Sequence, residues 1–264
     1  MIFSNTLTTM TQHLFVLTGA SRGMGLAMAR QLLQSGNTLL CISRSTNETL
    51  AVQAKQAGVP LLQWTQDLAL GAATCARLEQ WLREQTGSTS SNIFASATLI
   101  NNAGVIPRIG PLSEADADDL SHALRVGLEA PMQLTGAFLR ATQSWSGVRK
   151  VLNISSGLGR RAMASQAAYC AAKAGMDHFT RCVALEEALK VNGAKLCSLA
   201  PGVIDTGMQE QLRTADSQAF PDQSSFLNLK TSGSLASPEE AAARILAFLT
   251  RPDFGANVVA DVRG

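Results

Sequence analysis

Two residues on one predicted helix have the types and spacing needed for proton transfer. Tyr169 is the only tyrosine in the chain, and Lys173 follows it by four positions within residues 166–190, a stretch of good helix formers without proline. Residues four apart lie on the same face of a helix, so both side chains can reach one substrate. A nearby ammonium group favours the phenolate, and we therefore expect Lys173 to lower the pKa of Tyr169.

Ser156 could complete this chemistry from a neighbouring strand. It comes shortly after the apolar run 151–154, which predicts a buried strand. A hydroxyl group at the carboxyl end of that strand can hydrogen-bond a substrate carbonyl while Tyr169 protonates it. By spacing alone, a tyrosine and a lysine four apart are more often a surface pair, so other elements must support this interpretation.

A second motif near the N-terminus predicts a phosphate site. The apolar run 14–17 ends at Thr18, the glycine-rich residues 19–25 follow, and residues 26–35 form a predicted helix that ends at Gly36. Glycines let the backbone approach a phosphate, and a helix N-terminus offers free N–H groups. The spacing is TGxxxGxG rather than GxGxxG, and an ordinary tight turn is the alternative.

The end of the next predicted strand, residues 38–43, indicates which dinucleotide would bind. A fold selective for NAD places a carboxylate there, whereas this chain has Ser43 and Arg44. Arg44 and Arg22 can pair with a 2′-phosphate, which favours NADPH over NADH. Plain surface arginines are the alternative.

The order of apolar runs predicts the fold class. Predicted strands alternate with predicted helices, and the strands are 14–17, 38–43, 61–65 and 98–100. We expect an α/β protein with a single-domain, Rossmann-type, doubly wound parallel sheet and helices on both faces. Ligands of such sheets bind at the carboxyl ends of the strands, where Asp67, Leu68, Asn101 and Ser156 would gather.

The domain organisation follows from length and composition. Residues 13–264 predict one domain, and residues 1–12 a flexible extension in which Met10 could be the natural start. Residues 87–92 read as a polar loop. Residues 205–234 predict a long irregular lid over the site, and its apolar residues favour a hydrophobic substrate; these are Met208, Leu212, Phe220, Phe226, Leu227 and Leu229.

Composition argues against several classes of partner. A net charge of +2 with mixed signs indicates neither a nucleic acid nor a membrane surface, and no apolar run approaches the ~20 residues that cross a bilayer. The cysteines form no CxxC pair and predict reduced, buried thiols in a cytoplasmic protein; they are Cys41, Cys75, Cys170, Cys182 and Cys197. The histidines have no metal-binding spacing; they are His13, His122 and His178.

Two predicted helices carry more small and apolar residues than a monomer core needs, which favours a homodimer or a homotetramer. These residues, around 118–143 and on the Tyr169 helix, are Ala130, Met132, Ala137, Phe138, Met176 and Phe179.

Five motifs in one order give the chain a specific resemblance. They are TGASRGMG at 18–25, NNAG at 101–104, NISS at 153–156, YxxxK at 169–173 and PGxxxT at 201–206. Together they resemble the short-chain dehydrogenase/reductase family across essentially the whole chain. The likeness within the family is to sepiapterin reductases and bacterial benzil reductases, which implies reduction of a small, hydrophobic carbonyl substrate.

The resemblance implies a role for each matching residue. The NADPH phosphates and adenine would contact Gly19, Ser21, Arg22, Gly23, Met24, Gly25, Arg44, Asp67 and Leu68. The rest of the cofactor would contact Asn101, Ala103, Gly104, Tyr169, Lys173, Pro201, Gly202, Val203 and Thr206. In catalysis Tyr169 would be the general acid, Ser156 would polarise the carbonyl, and Lys173 would lower the tyrosine pKa and hold the cofactor.

Two positions depart from the family pattern. Gly127 stands where the family usually has an asparagine whose backbone carbonyl holds a water of the proton relay. Glycine keeps that carbonyl and loses the side chain. Val259 stands where sepiapterin reductases have an aspartate that anchors the pterin, and the nearest acid is Asp261. We therefore expect a ketone or diketone rather than a pterin.

These observations predict an NADPH-dependent reductase that converts a ketone or diketone carbonyl to an alcohol. Two alternatives stay open: a 3-oxoacyl reductase, and a non-catalytic NADPH-binding sensor, which the glycine at position 127 suggests.

Overall fold

Seven parallel strands form one sheet in a computed structural model that describes residues 12–85 and 94–263. The strands are β1 Gln12–Thr18, β2 Asn37–Ser43, β3 Leu61–Thr65, β4 Phe94–Asn101, β5 Val148–Ile154, β6 Lys195–Ala200 and β7 Val259–Asp261. The helices are α1 Gly23–Gln31, α2 Glu48–Ala57, α3 Gly71–Glu84, α4 Ala117–Leu124, α5 Ala130–Ala141, α6 Ala167–Ala188, α7 Gly207–Thr214, α8 Gln223–Thr231 and α9 Pro238–Leu249. The predicted extension lies outside the described residues except for Gln12, which begins β1, and the predicted polar loop 87–92 also lies outside them.

The strand order β3-β2-β1-β4-β5-β6-β7 confirms the predicted doubly wound sheet. The chain moves outward from β1 to β3 and then returns, so β4 pairs with β1 on its other side. Loops that leave β1 and β4 therefore turn in opposite directions and open a crevice between them, which is where sheets of this kind bind ligands.

Apolar residues alternate between the two faces of the sheet, and helices cover both. Val16, Leu40 and Val151 pack on one face, against α3 and α5. Leu17 and Leu39 pack on the other face, against α1, α2 and α9. Because the side-chain period of a strand is two, unbroken apolar runs in the sequence supply both cores at once.

The helix predicted across 118–143 is interrupted. A π-helical segment, Arg125–Glu129, separates α4 from α5, and Gly127 lies buried within it. Wider turns of this type occur mostly as short interruptions of α-helices and are frequent at functional sites.

The segment 205–234 contains two helices, α7 and α8, rather than the irregular structure that we predicted. Leu212, Phe220 and Phe226 form a small core of their own, with the two phenylalanine rings 5.6 Å apart. This core packs against apolar residues of two other loops: Ile106, Ile109 and Met163. The apolar side chains of α7 and α8 and of the loop between them thus pack together, and the segment has regular structure.

Most residues that we expected to form a subunit interface lie in the core instead. Only Met132 of the six is exposed, because α5 and the first half of α6 pack directly on the sheet.

The exposure of the cysteines differs in part from the buried thiols that we predicted: all five are free, but Cys182 is exposed and Cys170 is partly exposed. No helix among residues 12–85 and 94–263 is long and apolar enough to cross a bilayer. In the same ranges, no group of three His, Cys, Asp or Glu residues could hold a metal ion.

Candidate active site

A cleft of about 1300 Å³ opens at the carboxyl ends of the strands and gathers the predicted site residues. Every residue that we predicted to be catalytic or to bind the cofactor lines this cleft, except Asn101. Residues separated by more than one hundred positions in sequence therefore meet at one edge of the sheet.

The glycine-rich turn after β1 is held by the loop after β4. The Thr18 hydroxyl accepts hydrogen bonds from the backbone N–H groups of Asn102, at 2.9 Å, and Ala103, at 3.0 Å. The Asn102 side chain donates in return to the carbonyl oxygens of Thr18 and Gly19. These reciprocal bonds fix the two loops against each other at the switch point of the sheet.

Two glycines of this turn have no room for a side chain. Gly19 has a φ of 70°, and a Cβ there would lie 2.9 Å from the Ala103 Cα. A Cβ at Gly25 would lie 2.0 Å from the Gly19 carbonyl oxygen. The backbone of the turn therefore packs closely on the start of α1 and on the loop after β4, and only glycine fits at both positions.

The N-terminus of α1 faces the cleft without a side-chain cap. Arg22 occupies the N-cap position, its side chain makes no capping hydrogen bond, and the first turn contains no acidic residue. Unsatisfied N–H groups and the positive end of the helix dipole make such a terminus suitable for a phosphate.

The Ser43 hydroxyl at the end of β2 accepts a hydrogen bond from the Ala20 N–H at 2.8 Å. Arg22 and Arg44 are exposed at this end of the cleft, and within the described part of the chain neither guanidinium group has an ion-pair partner. Both guanidinium groups are therefore available to bind an anion.

Lys173 is buried next to Tyr169 at the other end of the cleft. Its Nζ donates a 2.7 Å hydrogen bond to the Ile154 carbonyl oxygen and lies 5.7 Å from the centre of the Tyr169 ring. The side chain is only 4% exposed, and this burial lowers the pKa of Lys173 to about 8. The Asp177 carboxylate acts in the opposite direction and raises that pKa.

Tyr169 differs from our expectation in its ionisation. Burial raises its pKa above the usual value of 10.0, and a hydrogen bond with the Ser156 side chain only partly offsets that effect. Desolvation of the phenolate is the largest of these effects, so the lowered pKa that we expected for Tyr169 is not found. The group is therefore a neutral phenol near pH 7, which is the form that can donate a proton to a carbonyl.

Ser156 is oriented by its own turn. Its hydroxyl accepts a 3.1 Å hydrogen bond from the Leu158 N–H, and the residue serves as the cap of a short 3-10 turn, Gly157–Gly159. The Ser156 hydroxyl and the Tyr169 phenol are thus adjacent, and one carbonyl oxygen can meet both groups.

Gly127 packs closely against α6. A Cβ at this position would lie 3.1 Å from the Ala172 Cβ, one residue before Lys173. An asparagine there would require the π-helical segment to shift slightly away from α6, so glycine fits this close packing without a shift.

Asn101 lies beneath the cleft rather than on its surface. It is 1% exposed, and its side-chain amide donates to Asn153 at 2.8 Å and to Thr135 at 3.2 Å. Asn153 continues the network by donating to Thr180. The network joins β4, β5, α5 and α6, and Asn102 lines the cleft in its place.

The cleft also contains residues that the sequence did not assign to the site, because they belong to none of the five motifs. Its apolar members include Ile106, Val126, Leu158 and Met163. Its polar members include His122, Arg161, Gln166, Gln209 and Arg263. Helices α7 and α8 contribute Met208, Leu212 and Phe226, which we had assigned to the lid.

Known proteins resemble this chain in sequence over most of its length. Residues 13–217 match a family model described as short chain dehydrogenase. A benzil reductase ((S)-benzoin forming) from Bacillus cereus is 36% identical over 239 residues, which cover 90% of this chain and 94% of that protein. A sepiapterin reductase from Meriones unguiculatus is 32% identical over 256 residues, covering 92% of this chain and 94% of the relative.

A solved structure shares the arrangement of elements. A putative NAD(P) dependent gluconate 5-dehydrogenase from Beutenbergia cavernae, solved with bound NADP, superposes with a TM-score of 0.78 at 25% identity, covering 96% of this chain and 95% of the other.

The two neighbouring asparagines should respond differently to replacement. We expect Asn101→Ala to lower the free energy of unfolding by about 2 kcal/mol, because it leaves buried partners unpaired, and to leave the NADPH dissociation constant within about twofold. Asn102→Ala removes two bonds to the glycine turn and should weaken NADPH binding about tenfold. Urea unfolding and NADPH fluorescence titration measure both effects. Loss of NADPH affinity in the Asn101 variant without loss of stability would contradict this assignment.

Proposed function

Because the chain belongs to the short-chain dehydrogenase/reductase family, we propose that it reduces a ketone or diketone carbonyl to an alcohol with NADPH. The observation that carries the proposal is that Ser156, Tyr169 and the buried Lys173 lie in one cleft with the uncapped N-terminus of α1. A nicotinamide dinucleotide is suited to this cleft, since the uncapped N-terminus of α1 offers free N–H groups to its phosphates.

The bound nicotinamide would supply the hydride. Tyr169 gives its phenolic proton to the substrate oxygen, and the Ser156 hydroxyl hydrogen-bonds the same oxygen as negative charge develops on it. The adjacent Lys173 ammonium stabilises the tyrosinate that remains, while the Ile154 carbonyl keeps that ammonium in place.

Preference for NADPH rests on the end of β2. Ser43 leaves no carboxylate there to repel a 2′-phosphate, and its hydroxyl is already bonded to the backbone of Ala20. Arg22 and Arg44 are exposed on either side and have no competing ion pair among the described residues. Their charge-assisted bonds to phosphate are stronger than bonds between neutral groups.

The substrate end favours an apolar carbonyl compound. Ile106, Met163 and Phe226 supply apolar walls, and we infer that the segment 205–234 acts as the lid that covers them. The likeness to a benzil reductase supports a diketone substrate. Partly buried Val259 offers no charge for a pterin, which argues against that substrate.

Association of subunits is also part of the proposal. Leu185, Leu189 and Val191 are exposed near the carboxyl end of α6. An apolar patch of this kind is typical of contact surfaces, so a homodimer or homotetramer with this surface at its interface is expected in the cytoplasm.

Replacement of the phenol tests the reaction. Tyr169→Phe should abolish NADPH oxidation by benzil, since the proton donor is gone, and leave the NADPH dissociation constant nearly unchanged. The assay follows nicotinamide absorbance with benzil, an aliphatic diketone, sepiapterin and a short 3-oxoacyl thioester. Turnover retained by the variant would contradict the mechanism, and NADPH binding without turnover of any substrate by the unaltered protein would favour a sensor.

Replacement of the arginines tests the cofactor. Arg44→Ala should reduce the preference for NADPH over NADH in kcat/KM by about tenfold to a hundredfold, through loss of a charge-assisted bond. Arg22→Ala should act in the same direction. Arg30→Ala is the matched control, because Arg30 is exposed on α1 and does not line the cleft. An unchanged preference in both cleft variants would rule out these residues as readers of the 2′-phosphate.

The reaction should depend on pH through Lys173. Reduction consumes a proton and needs the charged lysine, so kcat/KM should be constant at low pH and fall as pH rises through about 8, the pKa that burial gives Lys173. The pKa of Tyr169 is raised, so the phenol stays protonated over this range. A reduction rate that increases with pH across the same range would contradict this order of ionisation.

A further inference from the structure

We propose that Asp177 is a positioning residue for this reaction: its carboxylate fixes the segment that carries Ser156, and its charge keeps Lys173 protonated. The proposal rests on the function proposed above and assigns a role to a residue outside the cleft surface.

Asp177 joins α6 to two strands beneath the site. It lies one helical turn after Lys173 and is 2% exposed. Its Oδ1 accepts hydrogen bonds from the hydroxyl groups of Ser155 and Ser198, each at 2.6 Å. Ser155 directly follows β5 and Ser198 lies within β6. A single carboxylate oxygen therefore connects the helix to both of these chain segments through hydrogen bonds.

Three consecutive residues at the end of β5 meet three side chains of α6. The Ile154 carbonyl accepts from Lys173, the Ser155 hydroxyl donates to Asp177, and the Ser156 hydroxyl lies beside the Tyr169 phenol. Because these residues are adjacent, a shift of Ser155 would move both of its neighbours. The Asp177 bond therefore holds the segment on which the lysine and the serine depend.

The charge of Asp177 is not needed for these bonds. An amide oxygen could accept from the same two hydroxyl groups, and burying an ionised carboxylate is unfavourable unless another group compensates it. Its other oxygen, Oδ2, is buried and has no hydrogen-bond partner among the described residues. The carboxylate thus keeps one oxygen without a hydrogen bond among the described residues, one helical turn from Lys173 on the same helix.

Ionisable groups approach Asp177 from three elements. On α6 the neighbouring ionisable group is Lys173, and on β6 it is the buried thiol of Cys197. From the turn after β5, the Arg160 Nε lies 4.0 Å from Oδ2, at the limit of an ion pair.

Arg160 is shared with a second acid. Its Nη2 lies 4.0 Å from Asp261 of β7, which pairs more closely with Arg263, at 2.7 Å. No nearer cation neutralises Asp177 in the described structure, so its charge opposes the effect of burial on Lys173 and raises the pKa of the lysine.

The test compares the pH dependence of three proteins. In the unaltered chain and in Asp177→Asn, kcat/KM for diketone reduction is measured across pH, together with the NADPH dissociation constant and the thermal midpoint. We expect Asp177→Asn to move the alkaline fall in kcat/KM to lower pH by about one unit, because the field of the carboxylate is lost. Asp253→Asn is the matched control: it removes the same charge from an exposed surface pair with Arg251 and should leave the profile in place.

Ser155→Ala tests the positioning role separately. It also keeps the proposal testable if Asp177→Asn does not fold. It should lower kcat about tenfold by releasing the segment next to Ser156, with the NADPH dissociation constant nearly unchanged. An alkaline fall at the same pH in Asp177→Asn and in the unaltered protein would overturn the electrostatic role, and an unchanged kcat in Ser155→Ala would overturn the positioning role. Failure of the proposed function is a different result, namely no turnover of any carbonyl by the unaltered protein.

Discussion

The site depends on one buried ammonium group and the carbonyl that holds it. Lys173 is 4% exposed, and its hydrogen bond to the Ile154 carbonyl oxygen spans the space between α6 and β5. A charge in that position is unfavourable unless hydrogen bonds or an opposite charge compensate it. Helix α6 sets the spacing of Lys173 and Tyr169, and the bond to the last residue of a central strand fixes where the ammonium group lies.

The same sheet edge sets the other half of the site. The order in which strands are added to the sheet reverses between β1 and β4. The loops after these two strands are held together by the hydrogen bonds of Thr18 and Asn102. Gly19 and Gly25 approach backbone atoms too closely for any side chain. The proposed phosphate site and the proposed proton donor are therefore parts of a single framework, and the segment 205–234 packs around its own small core.

The sequence predicted most of this framework, and its failures have physical reasons. Apolar runs revealed the strands because a sheet covered on both faces needs unbroken runs. The choice between Asn101 and Asn102 could not be made, because adjacent strand-end residues point in opposite directions and only the register of β4 decides which one faces the cleft. The raised pKa of Tyr169 also escaped prediction, since it comes from desolvation in the folded protein, which sequence spacing does not reveal. The helices α7 and α8 were missed because their short apolar patterns are interspersed with polar residues.

We expect Tyr169 to act as a neutral proton donor, and its ionisation can be measured directly. Tyr169 is the only tyrosine in the chain, so the absorbance of phenolate in an alkaline titration reports on one group. Circular dichroism, recorded in parallel, shows the pH range in which the protein stays folded. We expect the midpoint of phenolate formation in the folded protein to lie above pH 10, since burial raises the pKa of Tyr169 above its usual value of 10.0. Phenolate that forms in the folded protein near neutral pH would contradict it.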